Sequence, residues 1–528
     1  MAGSSTSVAP DPVAVAEVER KFDPGPGFRL PDLTGVPGVA GVDEPRVLDL
    51  DATYFDSVDL RLVRNKITLR RRTGGDDAGW HLKRPRTDGD RDELHAPLGR
   101  SQTAVPASLR RPVEVFLRGV ELVPAVRLGT TRTVRHLLDA EGTVLAEIAQ
   151  DEVSAATPSA DGSVATVQEW SELEVELVHG DRRLLDAVVD ALVAAGARPS
   201  DSPSKLSRAL GDRLPPKVPA LPDGVGKGSA AAGLLRHLRE HVTRLTGNDP
   251  LARADAPDAV HQMRVAARRL RSALTTDRPL LDPDVAEPVR AELRWLGEVL
   301  GRARDAEVVR DELADLLSHE PAELVAGPVG ERIATTLGAR YRAAHDELLA
   351  VLDGPRYFVL LDALDALVTD PALTPAAHGD ADDVLLPLVA KTFRRLRRLV
   401  DAVHAATGDG ADAHRRDELL HEVRKAAKRA RYAGESLVAT HGGTAKAWAA
   451  RMEAVQEVLG DHQDSVVIRT ELLGLAAAAR ADGEDTFTYG RLHALEQARA
   501  DATQGRFEDV WPAARKKSAH RWLTKAGS

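Results

Sequence analysis

The chain has 528 residues, of which 43% are hydrophobic, and this length and composition suggest a globular protein of roughly two to four domains. Cysteine is absent, so disulfides and thiolate metal ligands are excluded, and any bound metal needs oxygen or imidazole ligands. The net charge of -10 bears on solubility and does not exclude an anionic ligand on a separate basic surface.

The N-terminal part of the chain, from residue 13 to about 177, alternates apolar and polar side chains in short runs, which predicts an antiparallel all-β unit. Eight strands are expected, and a closed sheet of about eight strands is just wide enough to hold side chains or one small ligand. Their predicted bounds are 13–22, 47–54, 66–72, 79–84, 92–98, 126–139, 143–153 and 167–178. Helices are predicted over 182–195 and 204–210.

Charged residues occupy one face of several predicted strands. Glu17, Glu19 and Lys21 alternate along the first strand, so they share a face. The last strand repeats this alternation with Glu172, Glu174 and Glu176, and the strands between them carry Arg70, Arg72, Lys83, Arg91 and Arg132. The face is either a solvated outer surface or the inside of a closed sheet that holds an ion. Because burying one sign of charge alone is costly, we favour an interior site shared by both signs and a ligand.

The order of these residues resembles the CYTH domain, the triphosphate tunnel metalloenzyme family. The Glu-x-Glu-x-Lys signature of that family stands here as Glu17, Glu19 and Lys21. The series continues with Tyr54-Phe55-Asp56-Ser57 in place of the usual Tyr-Phe-Asp-Thr, Leu69-Arg70-Arg71-Arg72, Trp80-His81-Leu82-Lys83, Arg91-Asp92-Glu93, Arg132, Glu147, the Glu172/Glu174/Glu176 strand and Ser204-Lys205-Leu206-Ser207-Arg208. The resemblance covers residues 13–210 and implies an eight-stranded antiparallel tunnel that binds a triphosphate and divalent cations, with Lys205 near one mouth.

Roles for the charged residues follow from this resemblance and from their chemistry. Carboxylates are the oxygen ligands that Mg²⁺ and Mn²⁺ prefer, and ammonium and guanidinium groups bind phosphate oxygens. The expected metal ligands are Glu17, Glu19, Glu172, Glu174 and Glu176. The expected substrate-binding residues are Lys21, Arg70, Arg72, Lys83, Arg91, Arg132 and Lys205. Catalytic roles are expected for Glu17, Glu19, Lys21 and Lys83. Glu147 and Asp151 are candidate general bases, and each is equally consistent with a structural ion pair.

Residues 211–228 are rich in proline and glycine and are predicted to be an interdomain linker. From residue 229 to 523 the apolar period becomes 3.6, which predicts an all-α region. This region contains an internal repeat, since His261-Gln-Met-Arg264-Val-Ala-Ala-Arg268-Arg269-Leu-Arg271 is echoed by His421-Glu-Val-Arg424-Lys-Ala-Ala-Lys428-Arg429-Ala-Arg431. A Leu-Gly-x-x-x-Asp motif follows each copy, with 44 and 43 residues from histidine to aspartate. A tandem pair of helical bundles is therefore expected, at about 229–371 and 380–523.

The histidine and basic residues of each copy form one stripe along a helix, because their offsets are 0, 3, 7 and 10. Like charges at this spacing repel, so a stripe that occurs twice favours an extended anionic ligand over a solvated face with salt bridges.

The duplicated pattern resembles the CHAD domain, the conserved-histidine α-helical domain. The resemblance implies two four-helix bundles related by pseudo-symmetry, with a basic groove that binds inorganic polyphosphate. The expected contacts are His261, Arg264, Arg268, Arg271, Arg395, Arg398, His421, Arg424, Lys428 and Arg431. The second copy departs from the first at Lys428, in place of Arg268, and at His462-Gln463, in place of Ala303-Arg304.

Together these features predict a metal-dependent inorganic triphosphatase that hydrolyses tripolyphosphate to pyrophosphate and phosphate, with Mg²⁺ or Mn²⁺ as cofactor and long-chain polyphosphate bound by the helical region. The inorganic substrate is favoured by analogy, because the tunnel is fused to a polyphosphate-binding module. Two alternatives stay open. One is an adenylyl cyclase or an organic (nucleoside or thiamine) triphosphatase on the same scaffold. The other is a non-catalytic polyphosphate-binding or granule-associated protein.

Other partners are disfavoured by the sequence. Aromatic residues make up 4% of the chain and do not interleave with the basic stripes, which disfavours specific nucleic-acid binding. No segment approaches the about 20 apolar residues of a membrane span, and the first residues lack the pattern of a secretory signal. We therefore expect a cytoplasmic protein, with association with polyphosphate granules as a further option. The sequence carries no indication of an oligomeric state.

Overall fold

The computed structural model describes residues 15–25, 27–85, 91–157, 166–214, 221–406 and 413–524. The chain divides into two compact units, Met1–Lys217 and Val218–Ser528, and each is described by itself. None of the helices in the described ranges combines the length and the apolar character needed to cross a bilayer.

Within the described residues of the first unit, eleven strands form one antiparallel sheet. They are β1 (Val15–Glu17), β2 (Glu19–Asp23), β3 (Gly41–Val42), β4 (Arg46–Asp56), β5 (Thr68–Thr73), β6 (Gly79–Pro85), β7 (Arg91–Ala96), β8 (Val123–Leu138), β9 (Val144–Thr157), β10 (Thr166–Leu177) and β11 (Arg198–Pro199). Each predicted strand has an observed counterpart, although the first is divided in two and its residues 13 and 14 lie outside the described ranges. β3 and β11 were not predicted, because two residues carry no alternation.

The division of the first strand at Val18 closes the sheet. β1 pairs with β7 at one end of the strand order, and β2 pairs with β10 near the other end. Nearly consecutive residues of one segment therefore join both ends of the order β1-β7-β6-β5-β4-β8-β9-β10-β2. This confirms the predicted antiparallel tunnel.

Within the described ranges, five α-helices pack on the tunnel: the first four cover its outer face together with apolar side chains, whereas the fifth packs on inward-facing residues of the wall such as Ala52 and Tyr54. The helices are α1 (Arg61–Arg64), α2 (Ala107–Arg110), α3 (Glu114–Leu117), α4 (Arg182–Ala194) and α5 (Lys205–Leu210). α4 places Leu185 and Val188 in a buried cluster with Leu173 and Val175 of β10. Because successive residues of a strand point to opposite faces, this packing directs the glutamates of β10 toward the interior.

The second unit is helical, as predicted. Its helices are α6 (Ala230–Arg253), α7 (Ala259–Thr276), α8 (Pro283–Ser318), α9 (Val329–Leu352), α10 (Pro355–Thr369), α11 (Ala381–Ala405), α12 (Ala413–Glu435), α13 (Val438–Ala481), α14 (Phe487–Arg515) and α15 (Lys517–His520). α6 to α9 pack in sequence on one another, and so do α11 to α14. The expected bundle bounds and the linker at 211–228 stay predictions, and residues 215–220 of that linker lie outside the described ranges.

The two halves of the helical unit meet through equivalent backbone groups. The N–H of Ala230 donates to the carbonyl of Gly379 at 2.9 Å, and the N–H of Ala381 donates to the carbonyl of Gly228 at 3.0 Å. Each hydrogen bond joins the start of the first helix of one half to the segment that precedes the first helix of the other half. The reciprocal pair is the arrangement expected of two copies related by pseudo-symmetry.

Candidate functional site

The tunnel contains a cavity of about 470 Å³ whose wall carries charges of both signs. Its acidic lining residues are Glu19, Asp76, Asp77, Glu93, Glu147, Glu174 and Glu176, and its basic ones are Lys21, Arg46, Arg70, Arg72, Lys83, Arg132 and Lys205. The structure therefore brings together most of the residues expected from alternation. The side chains of Glu17 and Arg91 lie outside the described part of the chain.

Three glutamates and a histidine form one row across four strands. Glu19 on β2 lies opposite Glu176 on β10, which lies opposite Glu147 on β9, which lies opposite His136 on β8. The pKa of Glu176 is raised, chiefly by burial and also by the charges of Glu19, Glu147 and Glu174, although Lys83 opposes the shift. This excess of negative charge would be relieved by a divalent cation. Glu19 and Glu176 therefore fit a site for Mg²⁺ or Mn²⁺.

A second acidic group is already neutralised by Lys205. Its Nζ lies 2.9 Å from Asp151 Oδ2, 2.5 Å from Glu172 Oε1 and 2.9 Å from Glu174 Oε1. These charges raise the pKa of Lys205 although its burial opposes this. Glu172, one of the expected metal ligands, is 5% exposed and lies beside the cavity, where it holds the ammonium of Lys205 and accepts a hydrogen bond from Trp170 Nε1 at 2.8 Å. One of its oxygens lies within 4.8 Å of an oxygen of Asp151 and of one of Glu174, so its metal role stays a prediction.

Arg132 is held by two carboxylates. Its Nε and Nη2 donate to the two oxygens of Asp151 at 2.8 and 2.7 Å, and Nη2 also lies 2.6 Å from Glu174 Oε2. Asp151 is 1% exposed and engaged by both Arg132 and Lys205, so its geometry supports the structural alternative rather than that of a general base. Glu174 contacts Lys21, Lys205 and Arg132, whose charges hold the pKa of its buried carboxylate well below the usual range. A metal ion bound by Glu174 would therefore have to compete with three basic side chains for its carboxylate.

Positive charge accumulates elsewhere on the wall. Burial and the charges of Arg70 and Arg132 lower the pKa of Arg72 to about 9, although Arg72 pairs with Asp77. Arg70 Nη1 donates to Tyr54 Oη at 3.4 Å, and within the described residues the buried Nε atoms of Arg70 and Arg72 have no hydrogen-bond partner. An anion in the cavity would neutralise these guanidinium groups.

Sequence reasoning assigned no separate role to several residues on the same wall. Glu93 accepts from His81 Nδ1 at 2.9 Å and lies 3.4 Å from Lys83 Nζ and 3.5 Å from His95 Nε2. Burial lowers the pKa of His81 to about 4, although the hydrogen bond that His81 donates to Glu93 opposes the shift. The signal was available, because Glu93 and His95 share the strand face of Arg91, and His136 shares that of Arg132.

In the helical unit both copies of the repeat make the same contact. Arg264 Nη1 donates to Asp305 Oδ1 at 2.7 Å, and Arg424 Nη2 lies 3.8 Å from Asp464 Oδ1. A Cβ at Gly301 would lie 3.6 Å from Arg264 Nη2, and the equivalent distance at Gly460 is 3.2 Å to Arg424 Nη2. The guanidinium lies against the glycine in both copies, at ordinary contact distance for a Cβ at Gly301 and at a tighter one at Gly460, and the aspartate one turn later holds it. This accounts for the two linked motifs.

The two basic stripes come together where α7 packs against α12. Arg268 Nε donates to Tyr432 Oη at 2.8 Å across this contact. Burial and the charges of Arg268, Arg424 and Arg264 lower the pKa of Lys428 to about 7. The structure therefore gathers four of the expected polyphosphate-binding residues in one basic cluster, which is Arg264, Arg268, Arg424 and Lys428.

The other expected polyphosphate-binding residues have different surroundings. Arg431 is engaged by Glu435 at 2.8 Å and Glu453 at 2.6 Å. Arg271 is half-buried, and burial together with Arg294 and Arg268 lowers its pKa. Three further residues, Arg395, Arg398 and His421, are exposed, and His261 is half-buried. The side chains at 461–463, where the second copy departs from the first, lie outside the described part.

Comparisons with known proteins agree with this architecture. Family models of the CYTH domain and the CHAD domain match residues 16–209 and 236–473. Uncharacterized protein Rv2226 of Mycobacterium tuberculosis is 41% identical over 512 residues, which cover 95% of this chain and 96% of that protein. Among solved structures, PptA from Streptomyces chartreusis is 24% identical with a TM-score of 0.46, covering 54% of this chain and 99% of its own. The CHAD domain from the plant Ricinus communis is 25% identical with a TM-score of 0.40, covering 59% and 97%. The chain belongs to the family of proteins that join a CYTH domain, the domain of the triphosphate tunnel metalloenzymes, to a CHAD domain.

Proposed function

We propose that the tunnel unit is a divalent-metal-dependent triphosphatase that hydrolyses inorganic tripolyphosphate to pyrophosphate and phosphate. The observation that carries the proposal is the separation of charge within one cavity. The row of Glu19, Glu147 and Glu176 has an excess of negative charge, whereas Arg72 is buried beside the positive charges of Arg70 and Arg132. A triphosphate with its divalent cation would neutralise both.

The wall residues divide into two tasks. Arg70, Arg72 and Arg132 present guanidinium groups, which bind phosphate oxygens in pairs. Glu19 and Glu176 would hold Mg²⁺ or Mn²⁺, which when bound supplies neutralisation of phosphate charge. Lys21 is close to the expected metal ligands as well as to the phosphate-binding groups, since its Nζ is 3.2 Å from Glu19 and also contacts Glu174. Phosphoryl transfer depends mainly on positioning and charge neutralisation, and these groups supply both.

The proposal is tested by phosphate release from tripolyphosphate, ATP, thiamine triphosphate and long-chain polyphosphate, each with Mg²⁺ or Mn²⁺. We expect tripolyphosphate to have the highest kcat/KM. A higher kcat/KM for ATP or thiamine triphosphate would favour the organic triphosphatase, and conversion of ATP to cyclic AMP would favour the cyclase. Absence of phosphate release from all four substrates together with absence of cyclic AMP would leave the non-catalytic alternative.

We also infer that the helical unit binds long-chain polyphosphate through the basic cluster. The supporting observation is that α7 and α12 bring the two basic stripes together, so that burial and then the charges of Arg268, Arg424 and Arg264 lower the pKa of Lys428. Replacing Arg264, Arg268 and Arg424 together with alanine is expected to reduce polyphosphate affinity at least about tenfold. The slope of log affinity against log salt should fall by about 2, at ~0.7 per phosphate contact on a flexible polyanion.

The matched control removes three exposed arginines outside the cluster. Arg278, Arg340 and Arg356 each make a surface ion pair with a glutamate. Their triple alanine variant has the same change of net charge, so it should keep most of the affinity and the salt slope. Equal losses in the two triple variants would show that binding follows net charge rather than the cluster.

The affinity of the helical unit for polyphosphate is expected to fall as pH rises from about 6 to about 8. A lysine with a pKa of about 7 is protonated below that pH and neutral above it, so a bound anion must draw a proton onto Lys428. Calorimetry in buffers of different ionisation enthalpy should detect this proton uptake near pH 7. In Lys428→Arg the charge is permanent, so the uptake should disappear. Unchanged uptake in that variant would assign the proton to another group.

A further inference from the structure

The histidine at the end of the acidic row is fixed by an aspartate from a distant part of the chain. His136 Nδ1 lies 2.7 Å from Asp43 Oδ2, and the backbone N–H of His136 donates to Asp43 Oδ1 at 2.6 Å. Burial opposes ionisation of Asp43, but the hydrogen bonds from His136 outweigh it and lower the pKa of that carboxyl. An ionised Asp43 accepts the Nδ1 proton, so it selects the tautomer with Nδ1–H and holds the ring in one orientation.

The other ring nitrogen is directed to the cavity wall. His136 lines the cavity, and its Nε2 lies 3.5 Å from Glu147 Oε2. With the proton on Nδ1, Nε2 carries a free lone pair. The charged groups facing the ring are Asp43 before β4, Glu147 on β9, and Arg46 on the adjacent strand β4, where it pairs with Val134, with Arg132 further along β8.

The alternatives for a proton acceptor are placed less well. Asp151 is buried and engaged by two cations. His95 is half-exposed, and its nearest described carboxylate, Glu93, is 3.5 Å away and also contacts His81 and Lys83. His136 is thus the cavity histidine whose ring is held by a short contact with a carboxylate, and that carboxylate is itself held by the backbone N–H of His136. A base oriented by a carboxylate is the arrangement that general-base catalysis requires.

We propose that His136 is the general base of the hydrolysis and that Asp43 is its positioning residue, an inference that rests on the proposed triphosphatase function. Nε2 takes a proton from a water molecule while the water oxygen forms a bond to the terminal phosphorus of tripolyphosphate. The bond between that phosphorus and the bridging oxygen breaks, and its electron pair leaves with pyrophosphate. The proton then passes from Nε2 to solvent, which restores the neutral ring.

The first test does not use turnover. In the metal-free protein, ¹⁵N NMR of the histidine side chains should show the neutral ring of His136 as the Nδ1–H tautomer. In Asp43→Asn the tautomer should shift toward Nε2–H, because a neutral amide does not stabilise a proton on Nδ1 as strongly as a carboxylate does. A wild-type ring protonated on Nε2 would overturn the proposal, because that nitrogen could not accept a proton.

The second test separates kcat from KM. His136→Gln is expected to lower kcat for tripolyphosphate by about 10²–10⁴-fold with little change in KM, and to flatten the acidic limb of the pH–rate profile. Asp43→Asn should lower kcat, whereas Asp43→Glu, which keeps the carboxylate, should recover part of it. Exposed His179 offers a matched control, and His179→Gln should behave as wild type. Thermal melting of each variant separates loss of the base from loss of the fold.

The outcomes separate this inference from the function on which it rests. If wild type releases no phosphate from tripolyphosphate, the triphosphatase proposal fails and the base assignment fails with it. If wild type is active and folded His136→Gln keeps kcat within about threefold of wild type, the assignment of the general base to His136 is overturned, and the triphosphatase proposal stands. A rise in KM without a fall in kcat would show a binding role instead of general-base catalysis.

Discussion

Phosphate release from tripolyphosphate is expected to fall by about 10²–10³-fold when Glu19 or Glu176 is replaced by glutamine, a loss of the size seen when one electrostatic group leaves an active site. The amide keeps the shape of the side chain but removes the charge that would bind the cation. Calorimetric titration with Mn²⁺ should show weaker binding by both variants. Full activity in Glu19→Gln would exclude its role as a metal ligand.

The stability of these variants provides a control within the same experiment. A carboxyl whose pKa is raised by folding favours its neutral form in the folded state, so its ionisation lowers stability as pH rises through that pKa. Metal-free Glu176→Gln should therefore be at least as stable as wild type at neutral pH. Glu152, exposed on β9 and bonded to Ser171 Oγ at 2.8 Å, offers a matched glutamate outside the cavity. Glu152→Gln should keep both metal binding and turnover.

Arg132→Ala is expected to lower the free energy of unfolding of the tunnel unit by about 3–5 kcal/mol, because removing one partner of a buried ion pair leaves the other charge uncompensated. Asp151 would keep only Lys205, and Glu174 would lose a contact of 2.6 Å. Differential scanning calorimetry of the full chain should show a fall in Tm of roughly 6–20 °C for the transition that belongs to this unit. Arg132→Lys keeps the charge but loses the paired hydrogen bonds, so its Tm should lie between the two.

A double-mutant cycle assigns this loss to the pair. Arg132→Ala combined with Asp151→Asn removes both charges, so the double variant should be more stable than the sum of the two single losses predicts. Additive losses, or an Arg132→Ala protein that melts within about 1 °C of wild type, would show that the pair contributes little to the folded state. Either result would also weaken the use of Arg132 as a fixed phosphate contact.

Alternation along the strands predicted the residues of the tunnel wall well, because successive side chains of a strand point to opposite faces whatever the rest of the fold. It found Glu19, Lys21, Arg70, Arg132 and Glu176 without knowledge of the fold. It also found Glu172, whose strand face was right but whose role depends on where α5 brings Lys205. Docking of a helix is set by tertiary packing, which the pattern of one strand does not contain.

The residues that sequence reasoning missed are those whose partners are distant. Asp43 lies between β3 and β4, where no alternation assigns a face, and 93 residues separate it from His136. In the helical unit the duplicated spacing identified both motifs, but the contact of Arg264 with Asp305 over Gly301 depends on how α7 crosses α8. Spacing therefore predicted the repeat, and the packing explains why each copy pairs an arginine with an aspartate.

The division of the first strand at Val18 means that one short segment closes the ring of strands. Glu17 belongs to the strand that pairs with β7, and Glu19 belongs to the strand that pairs with β10. The seam of the ring therefore runs through the segment that carries Glu19 and Lys21. A ligand that contacts these two side chains and also Lys83 on β6, beyond β7, would join the two sides of the seam, so its binding would stabilise the closed ring. Detachment of the N-terminal segment from its two neighbouring strands would open the ring and at the same time remove Glu19 and Lys21 from the site.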